Sequence, residues 1–293
     1  MRSGLVQTEA IVLSKIKYSD SSNIISFYTK ERGKINGLVK GARSMKSKTG
    51  LATDVMNIVQ LFYYEKEGRE LYTINSAELV FHPKETLSDL RMLAYSSAIL
   101  ELVKELTVPH EENERLYRGT DRILRLIEFK EEDPQLLFLR YFFFLLDESG
   151  VGIHCESCAA CGCKIGDEVS VVEKDEPATG KGNSGSNEPA SGKEGVGSKE
   201  PTTDTKVDNT YGGAIRFDSG YGILCEKCAS EKRRGILISM ELYGAIVCLI
   251  TGKKLGKVEQ KLLNDLVHIL ETYTRTHFET FKGLKALKIL GDL

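Results

Sequence analysis

The chain of 293 residues has no tryptophan and only six prolines. It also lacks any apolar run of about 18 residues, the length a membrane-spanning helix needs. Its richest stretch, Leu136 to Leu146, is broken by Arg140 and followed by Asp147, and reads as a buried helix. After Arg2, the residues Gln7, Thr8 and Glu9 interrupt any secretion-type hydrophobic segment. The expectation is a chain that stays in a reducing, cytoplasmic compartment. Signatures of hydrolytic or nucleotide chemistry are missing too: there is no Walker lysine motif, no HExxH and no GxSxG. The histidines His82, His110, His154, His268 and His277 are scattered and form no constellation with carboxylates. Gly180-Lys-Gly182-Asn-Ser-Gly185 spells a dinucleotide fingerprint, but it neither follows a strand nor opens a helix. That match is compositional. No catalytic residue is expected, and the chain does not read as an enzyme.

What is present suits a folded protein. The sequence is 41% apolar, enough to bury a core, and its length suits about two domains. Residues 1 to about 80 read as β: Thr8 to Ile16, Asn23 to Thr29, Lys34 to Lys40, Val55 to Tyr64 and Arg69 to Ile74 are separated by turn-like pieces. Five short strands with regular turns suit a small barrel, of OB type first and SH3-like second. From Pro83 the pattern becomes helical. Leu87, Leu90, Leu93, Ala94, Ala98 and Leu102 recur at helical spacing over Thr86 to Leu106. Further helices are expected over Glu112–Phe129, Pro134–Glu148, Ser239–Thr251 and Lys257–His277.

The helical region is interrupted between Gly150 and Gly235, and within that interruption residues 167–213 hold three of the six prolines, eight glycines and one aromatic, Tyr211. Glu176-Pro177, Glu188-Pro189 and Glu200-Pro201 recur there every 12 residues. No repeat carries an apolar face, so the tract cannot offset its ordering entropy and is expected to be flexible.

Cysteines flank this tract. Cys158 and Cys161 precede it, Cys225 and Cys228 follow it, and 63 residues separate the pairs. Without the 47 residues of the tract the spacing is C-x2-C-x16-C-x2-C, that of a four-cysteine zinc site. Lengthening that loop by about two doublings costs only about 1.2 kcal/mol. A site closed by four thiolates has no open position, so the expected zinc is structural. Gly162 favours Cys158/Cys161 as the first pair, because it lets the chain turn back after the second ligand. Cys155, Cys163 and His154 remain alternatives, and Cys248 reads as core.

The net charge of −2 argues against a nucleic-acid binder until it is divided along the chain. Residues 1–50 contain ten Lys/Arg and three acids, a net +7, whereas the tract carries a net −5. Seven of the ten cations lie between Lys30 and Lys48. Candidates for phosphate contact are Arg32, Lys34, Lys40, Arg43, Lys46 and Lys48, because cations on a loop can track phosphates and release counterions. Phe27, Tyr28, Phe62, Tyr63, Tyr64 and Tyr72 include candidate stacking surfaces, with about half expected inside the barrel.

At these residues the sequence resembles the bacterial RecO family. The resemblance rests on Thr8-Glu-Ala-Ile-Val-Leu13, on Phe27-Tyr-Thr29 with Gly33, and on Lys40-Gly-Ala-Arg43 with Ser47. It rests also on the two Cys-x2-Cys pairs and on the order barrel, helices, cysteine site, helices. It implies an α+β multidomain chain, with an N-terminal OB-fold β-barrel followed by an all-α domain interrupted by a four-cysteine zinc module. The corresponding boundaries are 1–80 for the nucleic-acid-binding barrel and 81–150 for the first helical part. The zinc module with its 167–213 insertion takes 151–235, and the second helical part takes 236–293. The resemblance further implies a nucleoid-associated recombination mediator. Such a protein binds single- and double-stranded DNA, anneals complementary strands, and with RecR helps load RecA onto DNA coated by single-strand-binding protein. A different class of function, a zinc-containing scaffold whose basic head contacts an acidic protein tail, also fits the charge pattern.

Overall fold

In the N-terminal run Ala10-Ile-Val-Leu13 both faces of the strand are apolar, and both are buried. Ala10 and Val12 join a cluster with Ile25, Phe27, Ile35, Val59, Leu61 and Ile74. Ile11 and Leu13 point the other way and pack with Tyr28, Met56, Ile58 and residues of the helices. Period-2 alternation thus places one set inside a barrel and the other under the helical region.

The structure is a computed structural model that describes residues 4–44, 46–65, 68, 70–165 and 214–291. The 167–213 tract lies outside the described residues. The N-terminal strands are β1 (Gly4–Lys17), β2 (Asn23–Thr29), β3 (Gly33–Val39), β4 (Ile58–Glu65) and β5 (Leu71–Phe81). Their order is β1-β2-β3-β5-β4, and β1 also pairs with β4, so the ladders close into a barrel. All neighbours are antiparallel except β3 and β5, which pair in parallel over Asn36–Leu38 and Leu71–Thr73. Register shifts between Val12 and Ser14 and between Phe62 and Tyr63 bend the long strands around the barrel.

The expected Val55 start of the fourth strand moves to Ile58, because Met56 adopts φ 78° and turns the chain. The expected Arg69–Ile74 strand continues to Phe81. The basic run after β3 contains an unexpected short helix, α1 (Lys48–Ala52). Ser47 caps it, accepting from the Gly50 N–H at 3.1 Å.

The helical region begins with α2 (Lys84–Ser88) and α3 (Leu90–Leu106), then α4 (Glu114–Glu128) and α5 (Pro134–Glu148). The single helix expected over Thr86–Leu106 is therefore split at Asp89. That residue is extended, and its carboxylate accepts from the N–H groups of Arg91 and Met92. Leu87 and Leu90 consequently lie exposed beside the break, whereas Ala94, Ala98 and Leu102 are buried as their spacing predicts. Asp133 caps α5 and Pro134 occupies its first turn.

After the undescribed tract come β6 (Arg216–Asp218), β7 (Gly222–Leu224), α6 (Glu226–Lys232) and β8 (Ile236–Leu237), whose strands form a sheet in the order β7-β6-β8. Helices α7 (Met240–Thr251) and α8 (Gln260–His277) and a 3-10 turn (Ala286–Leu290) complete the chain. Helix α5 packs against α3, α4, α7 and α8, with Phe138 and Phe142 fully buried. No helix among the described residues is long and apolar enough to cross a membrane.

The barrel docks on the helices through polar contacts as well as the shared core. The Tyr117 hydroxyl donates to Glu9 at 2.9 Å, and the His110 N–H donates to the Lys34 carbonyl at 3.0 Å. Gly33, at φ +60°, sits where a Cβ would meet the Glu111 carbonyl oxygen at 1.8 Å. Only glycine fits this junction.

Candidate metal centre and nucleic-acid surface

The two cysteine pairs lie on two tight knuckles. In the first, the Gly162 N–H donates to the Cys158 carbonyl at 2.8 Å and the Cys158 N–H to the Cys163 carbonyl at 2.7 Å. Gly162 adopts φ +72°, as a chain turning back after the second ligand requires. The Ala159 N–H donates to the Ile223 carbonyl at 2.9 Å, which fastens this knuckle to β7. The buried Tyr243 hydroxyl of α7 reaches the carbonyls of Cys155 and Ile165, at 2.7 and 3.0 Å, holding both ends of the loop. In the second knuckle, β7 leads directly to Cys225 at the start of α6, and Cys228 follows in the first helical turn.

The Sγ atoms of Cys158, Cys161, Cys225 and Cys228 all lie within 4.8 Å of one another. The Cys161–Cys225 separation is 3.8 Å. A tetrahedral thiolate site with metal–sulfur distances of about 2.3 Å places its sulfurs about 3.8 Å apart. The donor set and its dimensions therefore fit a metal ion. Cys155, Cys163 and His154 fall outside the set, and Cys248 is buried in the core. Protons are shared unequally among the thiols. Burial alone raises the Cys158 thiol, but N–H donors of Cys225, Cys161 and Ala160 outweigh it and bring the group down to about 6. Hydrogen bonding to Cys161 and then burial push the Cys228 thiol up to about 12. The Cys163 N–H lowers the Cys161 thiol as well, so both thiols of the first knuckle are drawn toward the ionised form that metal ligation requires.

The six basic residues divide into three kinds of place. Lys40, Arg43, Lys46 and Lys48 are exposed on the segment after β3, and none forms an ion pair among the described residues. Arg43 donates to the Ser19 carbonyl at 3.0 Å, tying this segment to the β1–β2 turn. Arg32 is exposed and faces Glu65 at 3.5 Å. Lys34 is half-buried. Its ammonium donates to the Lys104 and Thr107 carbonyls, at 2.5 and 2.6 Å, where α3 ends. Burial lowers its pKa from the ordinary lysine value. Its charge meets the negative end of a helix dipole.

Among the barrel aromatics, Phe27, Tyr28 and Tyr63 are buried, Phe62 and Tyr72 are half-buried, and Tyr64 is exposed. Tyr18, read only as part of a turn, is exposed next to the Ser19 carbonyl that Arg43 holds. Its position in a run of turn residues, with no strand to carry it inward, was the available signal.

Comparison with known proteins gives the family of the chain. Residues 1–82 match the family described as Recombination protein O N terminal, and residues 87–198 match Recombination protein O C terminal. The DNA repair protein RecO of Pelodictyon phaeoclathratiforme is 34% identical over 289 residues, covering 99% of this chain and 98% of that protein. The chain belongs to the RecO family. The RecO of Chloroherpeton thalassium is 30% identical over 98% of both chains. The RecO of Alkaliphilus metalliredigens is 33% identical over 162 residues, 54% of this chain, and that match spans 63% of the relative's length. The C-terminal family match ends at residue 198, before Cys225 and Cys228, so the four-thiol cluster rests on geometry and not on that match.

Proposed function

We propose that this chain is a non-enzymatic, DNA-binding recombination mediator of DNA repair. It binds single- and double-stranded DNA and anneals complementary strands. With RecR it helps load RecA onto DNA coated by single-strand-binding protein. The observation that carries this reading is the set of exposed cations Lys40, Arg43, Lys46 and Lys48 on one segment of the barrel, which form no ion pair among the described residues. Family membership supports it. In this reading residues 1–80 form an OB-fold, and Arg32 and the four cations contact phosphate without sequence preference. Annealing follows when one cationic surface screens two strands at once. Lys34 holds the barrel against α3 and contributes no phosphate contact.

The helices of 81–150 and 236–293 support the barrel and offer surface to protein partners. Cys158, Cys161, Cys225 and Cys228 hold a structural zinc within 151–235. Zinc bound there supplies folding energy to a small sheet whose three strands are too short to be stable alone. The reading places the protein in the cytoplasm, at the nucleoid.

Fluorescence annealing of complementary strands tests the proposal, with and without bound single-strand-binding protein. Acceleration in both settings is expected, with a loss in an Arg43→Ala/Lys46→Ala variant. No acceleration, together with tighter binding to an acidic peptide than to DNA at matched salt, would favour a protein-interaction scaffold instead.

A further inference from the structure

A second cationic surface lies on the cysteine module, far along the chain from the basic head. Helix α6 and the residues after it carry Lys227, Lys232, Arg233 and Arg234, all exposed. Arg233 adopts a left-handed conformation that ends the helix, so the two arginines sit on a tight turn. Their backbone N–H groups bond the Ser230 and Ala229 carbonyls, both at 3.2 Å. Among the described residues neither guanidinium, nor the Lys227 ammonium, forms an ion pair. The acids of the same helix are Glu226 and Glu231, and Glu226 already accepts from the Ala214 N–H at 3.3 Å.

Beside these cations stands an aromatic ring on a rigid support. Tyr221 occupies the β6–β7 turn and is 43% exposed. The buried Asp218 carboxylate accepts from the Gly220 and Tyr221 N–H groups, at 2.8 and 3.1 Å, which fixes the turn. The Lys232 ammonium lies over one face of the Tyr221 ring, 4.4 Å from its centre. The ring is thus held by a fixed turn and by a cation over one face, and the rest of its surface is open to solvent. Both supports are tied to the metal centre, because Cys225 joins β7 to α6 and Cys228 lies on α6.

We propose that Tyr221, with Lys232, Arg233 and Arg234, forms a second contact surface for single-stranded DNA on the cysteine module. A fixed aromatic face flanked by cations is the arrangement that stacks an unpaired base and holds its phosphates. A base inside a duplex cannot present its face to Tyr221, and an acidic peptide offers charge without a base. The inference rests on the DNA-binding reading above and adds to it. Two contact surfaces on one chain raise the effective concentration of strand at each of them.

The absence of tryptophan supplies the test. In a Tyr221→Trp variant the only indole is at the proposed site, and stacking quenches its emission. Quenching by oligo(dT) is expected, with none by an abasic oligomer of equal length or by an acidic peptide. The Tyr221→Ala variant should bind oligo(dT) about fivefold to tenfold more weakly, and Tyr221→Phe should bind normally. An Arg233→Ala/Arg234→Ala variant should show a salt slope shallower by about 1.4, at about 0.7 per phosphate contact. Suppose that these variants bind like the parent and the indole is not quenched, while Arg43→Ala/Lys46→Ala weakens binding. The second surface is then overturned and the DNA-binding reading stands. Unchanged affinity in both sets would overturn both. Quenching by the acidic peptide alone would overturn the assignment to DNA.

Discussion

The ammonium of Lys34, on β3, donates to the carbonyl of Thr107, 2.6 Å away at the C-terminal cap of α3. A lysine from a strongly basic stretch is thereby committed to the barrel–helix junction. Hydrogen bonds to a charged group contribute about 1.5–3 kcal/mol. Lys34→Met should lower unfolding free energy by roughly that amount in a denaturant titration. DNA affinity of the folded variant should stay within about twofold, because this ammonium is engaged by the Lys104 and Thr107 carbonyls. A selective loss of affinity with unchanged stability would place Lys34 on the DNA surface after all.

Metal content separates the ligands from their neighbours. About one zinc per chain is expected by elemental analysis, and Cys158→Ser or Cys228→Ser should remove most of it. Cys155→Ser and Cys163→Ser should retain it, since both residues lie outside the four-sulfur set. Retention of zinc in the Cys228→Ser variant alongside its loss in Cys163→Ser would exchange the two assignments.

Chelation should act locally before it acts globally. Strands β6, β7 and β8 are two or three residues long. Hydrogen exchange after treatment with a chelator should accelerate in 214–238 while the barrel strands keep their protection. Uniform exchange across the chain would show that the metal supports the whole fold.

Alkali should unfold the protein through its buried tyrosines. Burial pushes the phenols of Tyr63, Tyr95 and Tyr243 up to about 12 from an ordinary value of 10.0. A raised phenol pKa stabilises the fold below pH 10, where both states are neutral, and the stability falls as pH rises from about 10 toward 12. In that window the unfolded chain releases protons that the folded chain retains. Absorbance at 295 nm should therefore show a fraction of tyrosines ionising only with the loss of tertiary structure. Ionisation of all twelve tyrosines near pH 10 before any unfolding would contradict this.

The barrel was legible where alternation and turns coincide. The predicted β2, Asn23–Thr29, matches its observed bounds, since Ser22 and Lys30 flank a clean β run. The extension of β5 to Phe81 was hidden because Glu78, Leu79 and Val80 are all exposed and break the alternation. Leucines continue on both sides of Asp89, so periodicity alone predicts one unbroken helix there. The Asp89 carboxylate caps the next helix, which periodicity does not reveal. Cysteine spacing left Cys155/Cys158 open beside Cys158/Cys161, and Gly162 pointed to the pair whose sulfurs lie close to those of Cys225 and Cys228. Charge is different: Lys34 and Lys40 look alike in sequence, and only tertiary structure separates the one at a helix end from the one in solvent.

The affinity of a labelled oligo(dT) for the full chain, measured as a function of salt, tests the central claim. The account predicts a linear fall of log affinity with log salt. It also predicts a slope shallower by about 2 to 3 when Lys40, Arg43, Lys46 and Lys48 are all changed to Ala. Parent and quadruple variant binding with the same affinity and the same slope would contradict it.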